Sequence, residues 1–312
     1  AKQWLRSGSL LQRGPIPQPG LQAEEGLAVT ALPELLACPL RFALGRLADL
    51  EEAPRFPSPW ALEPASFGST LHAAAEDLFR RQAPAILAAA ARAQLQDHVE
   101  AAAEEALART EKDYVLEGPE VRARVRKKLV EMLWALVEHY GRSGLARLVD
   151  AERSLGQPSV PCATEAGTLH LRGKLDLVFA RSNGDWVIHD IKSGKPRLFD
   201  PAEGLDVERD LQVLCYAACL EDAGQRVGEV ALIFPSAGAR AELRAHGGEA
   251  LEAGLSWCRG VLAVARRLLQ EAAFAPLPAD EALCQRCPFQ AACDPDWREE
   301  ITARVEAEGS EA

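Results

Sequence analysis

Asp190 and Lys192, two charges of opposite sign, stand two residues apart in HDIKSG (189–194), directly after an apolar, β-branched stretch. Residues i and i+2 of a strand point to the same face, so both charges emerge together. Charge near a core is costly unless it is paired or bound to something. A second acid, Asp176, lies upstream in TLHLRGKLDLVFA (168–180), where Leu169, Leu171, Leu175, Leu177 and Phe179 alternate with polar residues and predict one strand. Asn183-Gly184 marks a hairpin between the two segments. A three-residue loop, Ser182-Asn183-Gly184 with Gly184 left-handed, pairs Arg181 with Asp185 and sets 176 opposite 190 and 174 opposite 192. The two aspartates then face each other, with Lys174 and Lys192 beside them. A two-residue loop would send the acids to opposite faces. Directly opposed Cβ atoms lie about 4.5–5.5 Å apart, and opposed like charges destabilise a sheet. This register therefore asks for a divalent cation with oxygen ligands between the carboxylates. A lysine two residues beyond a metal-binding acid can hold a hydroxide nucleophile or stabilise charge developing on phosphorus. The alternative is two unrelated surface acids and an ordinary edge-strand ion pair.

A second group with chemistry is Cys284-x2-Cys287-x5-Cys293, in a loop with Pro288 and no periodicity. Three thiolates at this spacing can face one metal or cluster, although tetrahedral zinc and [4Fe–4S] sites both want four. The start, AKQWLRSGSL, lacks the apolar stretch of a secretion signal, so a disulfide framework is not expected. Cys162, Cys215, Cys219 and Cys258 read as small core hydrophobes.

The elements that must position these groups divide the chain in two. Residues 1–29, with Pro15, Pro17, Pro19 and Gly20, read as a linker or arm. Thr30 caps a helix over 31–48, a proline-rich loop covers 49–66, and the alanine-rich 69–110 forms one long helix or two. Val125, Leu129, Met132, Leu133, Leu136 and Val137 recur at helical spacing within 119–147. Strands follow at 148–155, 168–180 and 185–191, then a helix at 206–222, a strand at 228–234 and a helix at 247–273. No apolar run reaches the roughly 18–20 residues a bilayer requires, and a cytoplasmic protein is expected. The net charge of −11 argues against non-specific nucleic-acid binding. Its distribution qualifies that: 294–312 holds seven acids and two bases, whereas RARVRKK (122–128) has five bases in seven residues. The chain begins with Ala and its single Met is Met132, which suggests a segment of a longer polypeptide or a processed start.

GKLD (173–176), a hairpin and DIK (190–192) together resemble the core of the PD-(D/E)XK nuclease superfamily. Three further stretches resemble its RecB-like branch: the Gly-x-x-x-His helix in FGSTLHAAAE (67–76), Glu152 in AERSL, and Gln212-x-x-x-Tyr216 in LQVLCYAACL. Cys38 in ELLACPLRF resembles the first cluster cysteine of iron–sulfur RecB-like nucleases, which include AddB-type subunits of helicase–nucleases and CRISPR-adaptation nucleases. The resemblance implies an α/β fold with a central mixed sheet flanked by helices (restriction-endonuclease-like), a helical N-terminal half and a C-terminal Cys-cluster loop. The nuclease domain would span 30–293 with its core sheet at about 148–234, and 294–312 would be an acidic tail. It implies one or two Mg²⁺ (or Mn²⁺) ions held by His72, Asp176, Asp190 and the Ile191 carbonyl. Lys192 would orient or activate water, Glu152 would be the acid of the first core strand, and Gln212 and Tyr216 would contact DNA or support the site. Cys38, Cys284, Cys287 and Cys293 would bind a structural [4Fe–4S] cluster, with Zn²⁺ the alternative, closing a loop of about 250 residues. The basic run 122–128 could contact phosphates.

The implied function is a metal-dependent DNA nuclease, an exonuclease in DNA-end processing, repair or recombination. Its partners would be single-stranded DNA or duplex ends and a helicase domain or subunit, with no membrane. No Gly-x-x-x-x-Gly-Lys-Ser/Thr loop occurs, so any motor lies elsewhere. The alternatives are a catalytically inactive DNA-binding scaffold of the same fold and a zinc-stapled interaction module.

Overall fold

The computed structural model describes residues 20–50, 61–114, 116, 118–194, 204–207, 209–236, 241–272, 274–276, 278–279 and 281–293. Most of the arm expected over 1–29 and the whole acidic tail lie outside them. The chain opens with a short strand, β1 (Leu27–Ala28), and two short helices, α1 (Leu32–Ala37) and α2 (Pro39–Phe42), the second continued by a π turn at Ala43–Leu47. Three long helices follow: α3 (Pro64–Leu87), α4 (Arg92–Thr110) and α5 (Pro119–Tyr140). Next come strands β2 (Arg147–Ser154), β3 (Val160–Thr164), β4 (Gly167–Arg172), β5 (Lys174–Ala180) and β6 (Trp186–Ile191). Helix α6 (Leu211–Asp222), strands β7 (Val227–Phe234) and β8 (Glu242–Gly247), and helices α7 (Glu249–Gln270) and α8 (Glu281–Gln285) complete the order. Among the described residues no helix is long and apolar enough to cross a membrane.

The chain forms two compact units. One comprises Phe56–Leu155 and Lys174–Ser256; the other comprises Ala1–Arg55, Gly156–Gly173 and Trp257–Ala312. The first holds a five-stranded sheet in the order β2-β5-β6-β7-β8. Only β6 and β7 run parallel; the other neighbours are antiparallel, so the sheet is mixed. The parallel step needs a crossover, and α6 supplies it. β5 is buried along almost its whole length, as a central strand covered on both faces must be. Apolar stripes of α3 (Leu71, Leu78, Phe79), α4 (Leu95, Val99) and α5 (Leu129, Met132, Leu136) pack with Leu177, Phe179, Val187 and Ile233 of the sheet in one core. The alanine-rich stretch is two helices, parted at Ala88–Ala91, where Ala89 is left-handed with φ 52°. The other unit holds a three-stranded sheet in the order β1-β4-β3.

Several expectations need correction. The alternation over 168–180 is not one strand: at Gly173 the chain leaves the β1-β4-β3 sheet and enters the five-stranded one. A period-2 pattern reports that each half is buried on one face, not that both halves lie in the same sheet. The helix expected over 31–48 is interrupted at Cys38, which is extended (φ −162°, ψ 107°) because the residue before a proline is driven out of the helical region. Thr30 lies within a 3-10 turn rather than at a helix cap. Strands β3 and β8 were not foreseen, since VPCAT and ELRAHG carry little apolar pattern. Within the basic run, Arg122 pairs with Glu104 and Glu111, and Arg126 with Glu100 and Glu104.

The start of α6 is fixed by a buried acid. Asp210, fully buried, accepts bonds from Arg244 on edge strand β8, from the Asp206 N–H (2.8 Å), and meets His246 Nε2 at 2.9 Å. Burial pushes the Asp210 carboxyl up, but the bonds from Arg244 and His246 outweigh it and hold it well below the usual range. Asp210→Asn removes the buried carboxylate that Arg244 and His246 meet and is expected to cost about 3–5 kcal/mol near neutral pH. A depressed carboxyl contributes above its unfolded value of about 3.9 and loses that contribution as pH falls below it. Urea unfolding of both proteins should therefore show a gap at neutral pH that closes in acid.

Candidate active site

The hairpin joining β5 and β6 has the three-residue loop expected of it. Arg181 N–H bonds Asp185 O at 2.9 Å, Gly184 N–H bonds Arg181 O at 3.0 Å, and Gly184 has φ 88°. Leu177 pairs with His189, which sets Asp176 opposite Asp190. On the other side of β5, Ala151 pairs with Leu177 and Arg153 with Leu175, which sets Glu152 of β2 opposite Asp176. Three acids thus stand in a row across three neighbouring strands. Asp176 is 6% and Asp190 2% exposed.

The sheet parts at this row. Antiparallel ladder bonds alternate, so after Arg181 the pairs at 179, 177 and 175 should bond, and Ile191 N–H should reach Leu175 O. It instead donates to Asp176 Oδ2 at 2.6 Å, while Lys192 N–H continues the ladder to Ile233 O on β7 at 2.9 Å. A carboxylate takes the ladder position, and β6 leaves β5 while staying with β7.

Each acid is met by a cation. Lys192 Nζ lies 2.6 Å from Asp190 Oδ2, and Lys174 Nζ lies 2.7 Å from Glu152 Oε2. The third cation descends from α3: His72 Nδ1 is 3.2 Å from Asp176 Oδ1 and 3.6 Å from Glu152 Oε1, and its Nε2 is 2.8 Å from Ile191 O. Burial lowers the His72 pKa, but the carboxylates of Asp176 and Glu152 outweigh it and raise it to about 10. Acceptors thus face both ring nitrogens, and the ring has to give up a proton before it can ligate a metal. Burial and the neighbouring Asp176 charge push the Asp190 carboxyl up, against the pull of Lys192. Asp190 Oδ2 is buried, and its close partner is the Lys192 ammonium at 2.6 Å.

Helix α6 completes the arrangement. Gln212 Nε2 donates to Asp190 Oδ1 (2.7 Å) and to Tyr216 Oη (3.0 Å), and its Oε1 accepts from Lys192 Nζ (2.9 Å). The four-residue spacing puts Gln212 and Tyr216 on one helix face. Tyr216 is 1% exposed, which leaves it support of Gln212 rather than contact with DNA. Gly68, one turn before His72, lets α3 run close to the chain leaving β6: a Cβ there would lie 3.3 Å from Ser193 Oγ.

Glu152 reaches the row through an unusual backbone. It has φ 51° in a strand whose register shifts between Leu148 and Asp150. A left-handed non-glycine residue costs about 1–3 kcal/mol and persists only where its surroundings over-determine it. His72, Glu152 and Asp176 form a group whose ligand atoms all lie within 4.8 Å of one another. Asp190 and the Ile191 carbonyl adjoin this group but face Lys192 with Gln212, and His72, respectively. Sequence reasoning gave Lys174 no role, although Lys174–Asp176 repeats the spacing of Asp190–Lys192. His189, next to Asp190, points away into a separate buried chain: Nδ1 meets Tyr140 Oη at 2.8 Å and Nε2 meets Glu229 Oε1 at 3.4 Å.

In the other unit, Cys38, Cys284, Cys287 and Cys293 line one cavity of about 230 Å³, with Leu40, Leu44 and Phe289. Leu40 N–H bonds Ala275 O (3.2 Å) and Ala279 N–H bonds Ala37 O (2.8 Å), tying both sides of Cys38 to the C-terminal segment. Burial pushes the Cys38 thiol up, against hydrogen bonds from the Arg41 and Leu40 N–H groups.

Residues 26–294 match the PD-(D/E)XK nuclease superfamily. Among solved structures, the crystal structure of SSO0001 is similar at 13% identity, covering 61% of this chain and 80% of that one, with a TM-score of 0.31. No curated protein matches. The match spans both the parted hairpin with its Asp-x-Lys and the four cysteines, and the protein belongs to the PD-(D/E)XK nuclease superfamily.

Proposed function

We propose that the protein is a metal-dependent deoxyribonuclease that hydrolyses phosphodiester bonds at DNA ends as an exonuclease. The observation that carries this is the row Glu152, Asp176 and Asp190, with both aspartates buried and Lys192 beside them. The row fits a hard divalent cation. Its donors are mostly carboxylates with a carbonyl, the oxygen set that suits Mg²⁺ or Mn²⁺, joined by one imidazole. Asp176, Glu152 and His72 already converge, their ligand atoms within 4.8 Å of one another. Asp176, Asp190, Glu152, His72 and the Ile191 carbonyl would hold the ion. When bound, it lowers the pKa of water and offsets charge developing on the phosphate.

The chain's own groups do the rest. Gln212, braced by Tyr216, fixes both the Asp190 carboxylate and the Lys192 ammonium, so the lysine is oriented before substrate arrives. An oriented ammonium can donate to the attacking water and oppose negative charge in the transition state without reorganising. His72 ties α3 to Ile191 O and to two acids, fixing the opening left where β5 and β6 part.

The RecB-like look of Gly68-x-x-x-His72 and Gln212-x-x-x-Tyr216 supports action at ends in DNA repair or recombination, beside a helicase domain or subunit. The four thiols around one cavity support a structural [4Fe–4S] cluster. On one tetrahedral zinc, sulfurs at about 2.3 Å from the metal lie roughly 3.8 Å apart. Zn²⁺ on the same four thiols is the second reading, and metal content separates the two.

Two outcomes are expected. Purified protein with Mg²⁺ or Mn²⁺ shortens linear DNA, and Lys192→Ala lowers the rate about 10²–10³-fold with the fold retained by circular dichroism. A wild type that leaves linear and single-stranded DNA uncut with every divalent metal removes the enzyme reading. Anaerobically purified protein is brown, with about four iron and four sulfide per chain, and Cys38→Ala loses both. A colourless protein with stoichiometric zinc overturns the cluster.

A further inference from the structure

We propose that Arg80 is a positioning residue for the nuclease site: it grips the peptide ahead of Glu152 and so keeps that acid turned into the row. The inference rests on the metal-dependent reading of the same site.

The observation behind it is the left-handed backbone of Glu152, next to a peptide that Arg80 holds. β2 lies at the edge of the sheet, so the outward peptide groups of Ala151 have no neighbouring strand. Side chains take both of them. Ala151 N–H donates to Asp150 Oδ1 at 2.9 Å, and Ala151 O accepts from Arg80 Nη2 at 2.6 Å. The guanidinium is itself held: Nη2 is 3.4 Å from Asp150 Oδ1, and Nε is 3.1 Å from Glu76 Oε1. His72, Glu76 and Arg80 recur every four residues and share one face of α3. A single helix face thus fixes Glu152 twice, through its carboxylate by His72 and through its main chain by Arg80.

Arg80 touches neither Asp176 nor Asp190 in any recorded bond, and its effect is on where the Glu152 oxygens stand. A partner of this kind, which orients a ligand without binding the metal, typically alters affinity about 10–100-fold when removed. Its side chain is 49% exposed, so the competing role is a direct contact with a DNA phosphate. The two roles separate because only the first acts in the absence of DNA.

The test is Mn²⁺ binding to the metal-stripped full chain, without DNA, followed by electron paramagnetic resonance of free Mn²⁺. Wild type, Arg80→Met, Arg80→Lys and Glu152→Gln are compared, with Arg80→Gln as the second variant should Arg80→Met fail to fold. Arg80→Met is expected to weaken Mn²⁺ binding about tenfold, and Arg80→Lys, which keeps one donor for the Ala151 carbonyl, to recover part of the loss. In the Glu152→Gln background the Arg80 substitution should add nothing, since the two act through one group. Cleavage at saturating Mn²⁺ should keep the wild-type KM for DNA. Unchanged Mn²⁺ affinity in Arg80→Met, or a raised KM for DNA as its sole effect, overturns the proposal and leaves the nuclease reading standing. A wild type that binds no Mn²⁺ and cuts no DNA overturns both.

Discussion

Three carboxylates side by side in a sheet repel one another, and the surrounding structure exists to make that row tolerable. Glu152, Asp176 and Asp190 are supplied by three adjacent strands, and each is answered by a cation from a different direction. Lys174 and Lys192 lie along the strands, and His72 comes from a helix laid over them. Two ammonium groups and an imidazole thus answer the three carboxylates side chain by side chain. Packing follows from the same requirement. The row is buried, so its polar atoms must be satisfied within the protein; α3 and α6 are placed where they can do so, and the close approach at Gly68 is part of that placement.

The opening between β5 and β6 is built by the same group. The Asp176 side chain receives the Ile191 N–H that a regular ladder would give to a carbonyl, so the acid that uses the gap also holds it open. β6 can leave β5 without losing its own order because its parallel contact with β7 continues through Lys192. That contact depends on α6 crossing between the strands, and the same helix brings Gln212. One topological step therefore stabilises the parted strand and delivers the residue that orients its lysine.

What the sequence disclosed about this site was local and covalently constrained. Asn183-Gly184 allows few turns, and once the turn is fixed, counting outward places Asp176 against Asp190. The helices α3 and α6 were legible as elements, but His72, Gln212 and Tyr216 were legible as site residues only through family resemblance, since a lone His or Gln on a helix carries no signal of what it faces. The third acid was found the same way; its left-handed backbone depends on a helix some seventy positions upstream, through Arg80, and no local pattern encodes it. The break at Gly173 was invisible because leucines four apart on either side preserve the alternation. Within the basic run, Arg122 and Arg126 are turned toward glutamates of α4, a partner that spacing within α5 cannot reveal.

The route of the chain has one more consequence. It passes between the two units after Arg55, Leu155, Gly173 and Ser256, so each is assembled from separate stretches. Ribosomal synthesis delivers those stretches in order, and folding of nascent chains tends to proceed from the N-terminal side. Every stretch of the acid-bearing unit has been made once Ser256 is added, whereas the cysteine-bearing unit still awaits Cys284, Cys287 and Cys293. Cys38 must then wait for its three companions, and a chain made as far as Ser256 can have a finished row of acids before the four cysteines that line one cavity exist together.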